Sequence, residues 1–299
     1  IGIERQITND LTIGADFAYV HTLQLQRNRE LNLPKPIIVA TDPAKRPFFG
    51  LVNGGRARPI VTLGSVQVRE STAKSLYRAL TLRAKFQRRW GQFNAFYVRS
   101  KNLSSVDNER EAGGVLFENA FNTDSEYSFS NLDIKHQFVV NPVFFLPFGI
   151  DVASAVRLRS GRPIDARMGS DVNQDRTNLD RPFRAPGIPF ERNAFRNRPV
   201  YNVDMRVQKR FQLGENRRLL FSAEFFNIFN IENIELAGSQ VTNYCSNTAD
   251  LTCGFTGPTN PNFLQLYDRN PTSTRVGSLL LNNNPGPPFQ VQLGARFQF

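Results

Sequence analysis

No stretch of this chain approaches the ~18 consecutive apolar residues that a membrane-crossing helix needs. The mean hydropathy is −0.37, so a helical membrane protein is excluded. A membrane barrel is not, because only alternate residues of a barrel strand must be apolar. Methionine and tryptophan are nearly missing, with two and one copies, and histidine and cysteine occur twice each. Eighteen prolines and 20 glycines argue against long uninterrupted helices. The chain begins at Ile1 without Met, basic n-region or apolar h-region. It reads as already inside a strand, so either a signal peptide has been removed or, the favoured reading, the chain is a fragment of something longer.

Phenylalanine, in contrast, is abundant at 26 residues. Basic residues outnumber acidic ones 37 to 26, giving a net charge of +11. Such a balance first suggests nucleic acid. The arginines, however, are spread through nearly every segment rather than gathered on one stripe or helix, and no nucleic-acid partner is expected. A basic lumen and rim facing anionic ligands or lipopolysaccharide phosphates account for the charge equally well.

A period of two recurs along the chain. Leu11, Ile13, Ala15, Phe17 and Tyr19 share one face, against Thr12, Gly14, Asp16 and Ala18. The same alternation runs through Leu76–Phe86, Phe93–Ser100, Ile134–Leu146, Val152–Arg159, Tyr201–Phe211, Phe221–Phe225 and Phe289–Phe299. With a stub at Ile1–Ile7 this gives about nine to ten strands, most of ~10 residues, the length that crosses a bilayer at a tilt. Val61–Arg69 is either a further strand or part of a loop.

The expected connections alternate strictly in length. Thr8–Asp10, Arg89–Gly91, Pro147–Gly149 and Leu213–Asn216 are tight, whereas 23–75, 102–133, 161–199 and 230–288 are long. Short periplasmic turns and long extracellular loops are the habit of an outer-membrane barrel. Alternation alone would equally mark a half-buried soluble sheet. Two features favour the membrane. Charges stand mid-strand on the off-face (Asp16, Arg83, Asp204, Arg206, Glu224), as a wet lumen permits. The exceptions on the apolar face (Arg78, Arg99, His136, Lys209) fall near strand ends, where a charge costs only about 0–1 kcal/mol. The expected fold is all-β, an antiparallel transmembrane outer-membrane β-barrel.

The last strand, with Phe289, Val291, Leu293, Phe297 and Phe299 on alternate positions, resembles the terminal signal that the barrel-assembly machinery reads. Further segments resemble Oar-like TonB-dependent transporters, which carry a carboxypeptidase-regulatory-like domain. "SLYRALTLRAKFQRRWGQFNAFYVRSKNL" is similar to a strand–turn–strand of that family, with Val98 and Arg99 replacing its usual residues before Ser100–Lys101. "DIKHQFVVNPVFFLPFG" and "SGRPIDARMGSDVNQDRTNLDRPF" resemble its Leu-Pro-Phe-Gly element and its Asp-rich loop ending in Asp-Arg-Pro. "YNVDMRVQKRFQL" and "FSAEFFNIFN" resemble its paired strands near the end of the barrel. The resemblance runs through most of residues 60–299. It implies that the chain is the C-terminal portion of a barrel of about 22 strands, whose plug and periplasmic domains lie outside this sequence. It also implies partners: TonB through the missing N-terminal part, the assembly machinery, outer-membrane lipid, and an imported ligand of unknown identity.

Asp171, Asn173, Asp175 and Asp180 have half the spacing of a calcium loop. Arg176 stands where the EF-hand wants glycine, and Pro182 where it wants glutamate. The plainer reading is a solvated loop of local turns. Calcium is the one cofactor this sequence raises. Cys245 and Cys253, in the last long loop, suit a disulfide in an oxidising exterior better than a metal pair. His21 and His136 sit near strand ends, and no Gly-x-Ser-x-Gly elbow occurs, so no catalysis is expected. Tyr19, Phe93, Tyr97, Phe211, Phe297 and Phe299 read as interfacial girdles rather than a ligand platform. Arg83, Arg157, Arg159, Asp204, Arg206 and Glu224 read as lumen residues, most of them in a solvated ion-pair lattice. The function expected is TonB-energised ligand uptake. The alternatives are a surface-display or adhesion barrel and, third, a membrane-barrel lipase.

Overall fold

The computed structural model describes residues 1–107, 117–214, 217–247, 249–280 and 287–299. Among the described residues one antiparallel sheet has ten strands: nine follow one another along its path, and a two-residue strand, Ser128–Phe129, adds to the end of Gly91–Ser104. The nine are β1 (Gly2–Thr8), β2 (Leu11–Glu30), β3 (Gln67–Arg88), β4 (Gly91–Ser104), β5 (His136–Leu146), β6 (Ile150–Arg159), β7 (Val200–Gln212), β8 (Arg218–Phe226) and β9 (Gln290–Gln298). No described helix is long and apolar enough to cross a membrane, which says nothing of strands.

The register explains why the alternation persists from strand to strand. One cross-strand row runs Ile13, Ala84, Ala95, Val140, Val156 and Val203, apolar throughout. The adjacent row, on the opposite face, runs Gly14, Arg83, Phe96, Val139, Arg157 and Asn202. A slip of one residue in any pair would put arginine among the valines, so the pattern itself pins the pairing.

At one end of the sheet the connections are tight. β5 turns into β6 through Pro147–Gly149, where Phe148 and Gly149 both take positive φ (64° and 70°). A Cβ on Gly149 would also lie 3.0 Å from the Arg210 carbonyl oxygen. Of the turn expected at Leu213–Asn216, residues 215–216 lie outside the described residues.

At the other end two expectations are corrected. β2 and β3 reach 20 and 22 residues, well beyond a bilayer crossing, so the first long loop spans 31–66 rather than 23–75. The undecided stretch Val61–Arg69 divides, with Gln67 onwards in β3. Register shifts at Thr22/Leu25 and Leu25/Arg27, with Gln24 at φ 58°, break the period of two in this extension. That is why the sequence pattern stops near Tyr19 while the ladder continues.

The four long loops gather at this end into a cap, and the hydrophobic core of the chain sits there rather than in the sheet. Leu33, Phe49, Leu51, Phe117 and Ala120 form one cluster, joining the first two long loops. Ala166, Met168, Tyr244, Cys245, Cys253 and Phe263 form another, and Ile164, Ile234, Leu236, Val241 and Leu266 a third, joining the last two. Among the wall strands only Ala73, Ala79 and Val139 are buried apolar residues. A wall one layer thick has no interior of its own. Its apolar face needs lipid.

Cys245 and Cys253 are disulfide-bonded within the second cluster, Cα atoms 5.8 Å apart. Closing so short a loop contributes about 2–3 kcal/mol in the chain-entropy account. The C245S/C253S variant should therefore lose that much cap stability. Proteolysis of the last loop against temperature should show it, with the barrel transition unmoved.

Candidate functional site: the polar inner wall and its loop cap

The polar face of the sheet carries paired charges. Arg83 bonds Asp16 across β2 and β3, Arg206 lies 3.3 Å from Glu224 across β7 and β8, and Arg210 reaches Asp151 at 2.9 Å. These pairs are half exposed, and each is worth at most about 1 kcal/mol. All six residues read as lumen residues, Arg83, Arg157, Arg159, Asp204, Arg206 and Glu224, share this one face by register. Their roles differ.

Arg157, Arg159 and Asp204 line a cavity of about 770 Å³ beneath the last long loop, with Asn202, Asn233 and Glu235. Arg159 pairs with Glu235 at 2.9 Å, while its second terminal nitrogen, Nη1, is buried without a hydrogen-bond partner among the described residues. Arg157 is exposed and takes part in no ion pair among the described residues. Asp204 instead accepts the Asn227 N–H (2.9 Å) and an Asn202 side-chain N–H (2.8 Å).

Asn227 was not visible from the sequence as a functional position. Fully buried and at φ 48°, it ends the β8 ladder. Its side chain accepts the Ile231 N–H and donates to the Ile231 and Pro287 carbonyls, at 2.9–3.0 Å. It thereby ties together both ends of the last loop. The available signal was an asparagine where the period of two stops, since Asn tolerates the left-handed region.

A second polar cluster fills the cap. Arg181 bonds Glu126 and lies 3.9 Å from Glu118, all three side chains nearly inaccessible. The Arg181 N–H also donates to Glu118 at 2.8 Å. Burial pushes the Glu118 carboxyl up to about 7 against the attraction of Arg181. Burial raises Asp165 and Asp180 too, the latter further through the neighbouring charges of Glu118 and Asp175. Desolvation is the largest influence on these carboxyls, whereas at Arg181 itself the attraction of Glu126, Glu118 and Asp165 outweighs it.

The structure brings Asp171, Asn173, Asp175 and Asp180 together. Their oxygens are turned onto the loop's own backbone. Asp180 accepts the Val172 and Asn173 N–H groups, Asp171 those of Asp175 (3.0 Å) and Arg176 (2.8 Å), and Asp175 the Thr177 N–H and hydroxyl (both 2.7 Å). Among the described residues no group of three or more acidic, His or Cys side chains is arranged to hold a metal. Asp175 is pushed up to about 6, mainly by burial and also by the charge of Asp171.

The remaining candidates lie on the apolar face. Phe93, Phe86, Trp90 and Phe144 pack in series near the tight-turn end, centroids 5.3–6.2 Å apart, with Phe86 and Trp90 tilted at 49°. Phe297 and Phe299 stack at 6.0 Å, and Phe211 meets Phe221 edge-on at 6.0 Å. At the opposite end Tyr97 hydrogen-bonds His136 Nδ1 at 2.7 Å. His21 is exposed. Phe289, Val291, Leu293, Phe297 and Phe299 stand exposed along and beside β9.

The sequence profile of the outer membrane beta barrel domain matches residues 1–191, and this chain belongs to that family. It is an antiparallel β-barrel domain of the outer membrane of a Gram-negative bacterium. In such a domain one face of the sheet meets lipid, and the apolar row from Ile13 to Val203 suits that environment. Among solved structures, the outer membrane transporter YddB from Escherichia coli is similar over 77% of this chain and 28% of its own, at 10% identity and a TM-score of 0.48. The ferripyoverdine receptor of the outer membrane of Pseudomonas aeruginosa, bound to ferripyoverdine, is similar over 77% and 23%, at 13% identity and a TM-score of 0.41. The FpvAI–pyocin S2 complex gives the same figures. This chain therefore spans less than a third of those chains. No curated protein matches the sequence.

Glu118 and Asp175 bind protons more tightly folded than unfolded. Their contribution is complete below the unfolded value, near 4.5 and 3.8 respectively, and is lost as pH rises through about 7 and 6. The cap should thus be more stable at pH 5 than at pH 8, and Glu118→Gln should flatten the upper part of that profile. Amide exchange in loop 160–199 across this range checks the sign.

Proposed function

We propose that this chain is the C-terminal part of the barrel of an Oar-like, TonB-energised outer-membrane importer, non-catalytic, whose loops capture a ligand too large or scarce for simple diffusion. The observation that carries the ligand-binding part is the cavity under the last loop. Arg157, in no ion pair among the described residues, and a buried Arg159 nitrogen with no hydrogen-bond partner among them both belong to it. The buried Arg159 donor favours an anionic ligand, because an unmet buried donor costs about 1–3 kcal/mol until something accepts from it, and the exposed Arg157 adds a second positive charge. TonB energisation and a plug rest on the sequence resemblance alone.

Uptake should disappear in cells lacking TonB. R157A/R159A should lower ligand affinity roughly tenfold, a charge-assisted hydrogen bond being worth about 1.5–3 kcal/mol, at unchanged levels of the protein in the membrane. Nutrient-limited growth on siderophores, glycans and peptides identifies which ligand class responds. The second reading is a display or adhesion barrel. It is favoured by one feature, the cap's own hydrophobic clusters, which make the loops a fixed surface. Adhesion that persists without TonB, with no uptake of any of the three classes, would replace the importer.

We also infer that Phe299, with Phe297, belongs to the signal read by the assembly machinery. Deleting Phe299 should reduce heat-modifiable, folded barrel in the outer membrane several-fold. Normal levels in that variant would remove the role.

A further inference from the structure

We propose that the cavity under the last loop takes an acidic oligosaccharide, with the carboxylate of one uronate against Arg157 and Arg159 and a neighbouring sugar ring over Phe226. This rests on the importer reading and gives its ligand a chemical class.

The first observation is which lining side chains are already committed. Asp204 accepts from Asn202 and Asn227, and Glu235 pairs with Arg159. Asn233 is spent on the Tyr201 N–H and carbonyl, at 2.8 and 2.7 Å. Gln290 and Gln292 also line the cavity, are exposed, and make no side-chain hydrogen bond among the described residues. A carboxamide donates and accepts through adjacent atoms. A carboxylate or phosphate only accepts, and would leave the acceptor half of both glutamines unmet. A sugar hydroxyl does both.

Charge is the second observation. The ionised lining side chains are two arginines, one aspartate and one glutamate, so their charges cancel. A polyanion would meet two carboxylates as well as two guanidiniums. A single carboxylate meets Arg157 and the Arg159 Nη1, which lacks a partner among the described residues. Many hydroxyls and one acid fit that balance.

The third observation is Phe226. Phe225 stacks on Phe289 on the apolar face, centroids 6.5 Å apart, whereas Phe226 lines the cavity with the polar residues. Phe226 is half-buried, stands opposite Gln290 in the register, and meets no other aromatic ring among the described residues. Directly opposed residues have Cβ atoms about 5 Å apart. The ring thus offers an apolar surface to the C–H face of a sugar, with an amide beside it for the hydroxyls.

A peptide is the nearest competitor, since its amides would also match the glutamines. Peptides are commonly held through their backbone at a sheet edge. Here β6 is paired on both sides. The edge of β7 beyond its pairing with β8 is taken up by Asn233 at Tyr201 and by the Ile228 N–H at Val203. Recognition is left to side chains, and about 770 Å³ lies within the ~300–1,000 Å³ of small-ligand sites.

The test titrates the intact outer-membrane protein that carries this chain, purified in detergent, by calorimetry. The probes are aldobiouronic acids containing glucuronate or galacturonate, their methyl esters, glutarate as an acid without hydroxyls, and triglycine. At least one aldobiouronic acid should bind at least tenfold more tightly than its ester, glutarate or triglycine. Arg157→Gln should erase the difference between acid and ester. Phe226→Leu should weaken the aldobiouronic acid several-fold and leave glutarate unchanged. Gln290→Leu, at an exposed position, should do the same and carries the test should Phe226→Leu not fold. Glutarate, triglycine or the ester binding as tightly as the acid would overturn the sugar acid while leaving a ligand cavity in an importer. No binding by any probe would overturn the site together with the ligand-binding part of the importer reading.

Discussion

Inside hydrocarbon no water is available to a backbone N–H or C=O, so each must be satisfied by a neighbouring strand. That constraint fixes most of what this molecule is. It demands a continuous ladder, and the ladder is simplest when every strand pairs with its neighbours in sequence, as β1 to β9 do. It also demands one face acceptable to lipid along the whole ladder. The Ile13-to-Val203 row meets that demand across six strands without one polar residue. Once backbone and lipid face are settled, the lumen face is free, and the charges collect there.

Two kinds of ion pair follow from this division. On the lumen wall Arg83–Asp16 and Arg206–Glu224 are half exposed and screened. They keep a one-layer wall wet on the inside and add little to stability. In the cap, Arg181 with Glu118 and Glu126 is nearly inaccessible. There the desolvation penalty is large: it raises the Glu118 carboxyl against the attraction of Arg181, while that attraction still holds the Arg181 guanidinium in its charged form. Such a cluster is costly to break by removing one partner, so it specifies one arrangement of the loops more than it stabilises them.

How much of this was legible follows from the range of each interaction. The nine strands, the two faces and the long–short alternation of connections could be read, because period two is local and lipid enforces it over a whole crossing. The extension of β2 to Glu30 could not, because the bulges around Gln24 and Leu25 scramble the alternation exactly where the lipid stops enforcing it. The cap was read only as loops. Its clusters join Leu33 to Phe117 and Ile164 to Leu266, contacts that no local period encodes. In the Asp-rich loop the preferred reading, local turns, matches the bonds its oxygens make, but the loop is not solvated, since Asn173, Asp175 and Asp180 are buried. Asp180 serves N–H groups seven and eight residues before it in the chain, and a spacing rule cannot distinguish a carboxylate turned to a cation from one turned to its own backbone.

The lumen residues show most clearly why a face is not yet a role. Asp204 and Arg157 are equivalent by alternation, Asp204 standing two residues beyond Asn202, the register partner of Arg157, and lie in the same cavity. Asp204 is spent on Asn227, and through Asn227 on both ends of a loop reaching to Pro287. It is therefore a clasp between wall and cap, and replacing it would loosen the loop before it touched any ligand. Arg157 clasps nothing among the described residues, and its long side chain reaches from a rigid strand into the space the loop covers. A group fixed at its base and uncommitted at its tip is what recognition requires. On the proposed importer reading, the electrostatics of capture would fall to the arginine, and the geometry of the chamber to the aspartate.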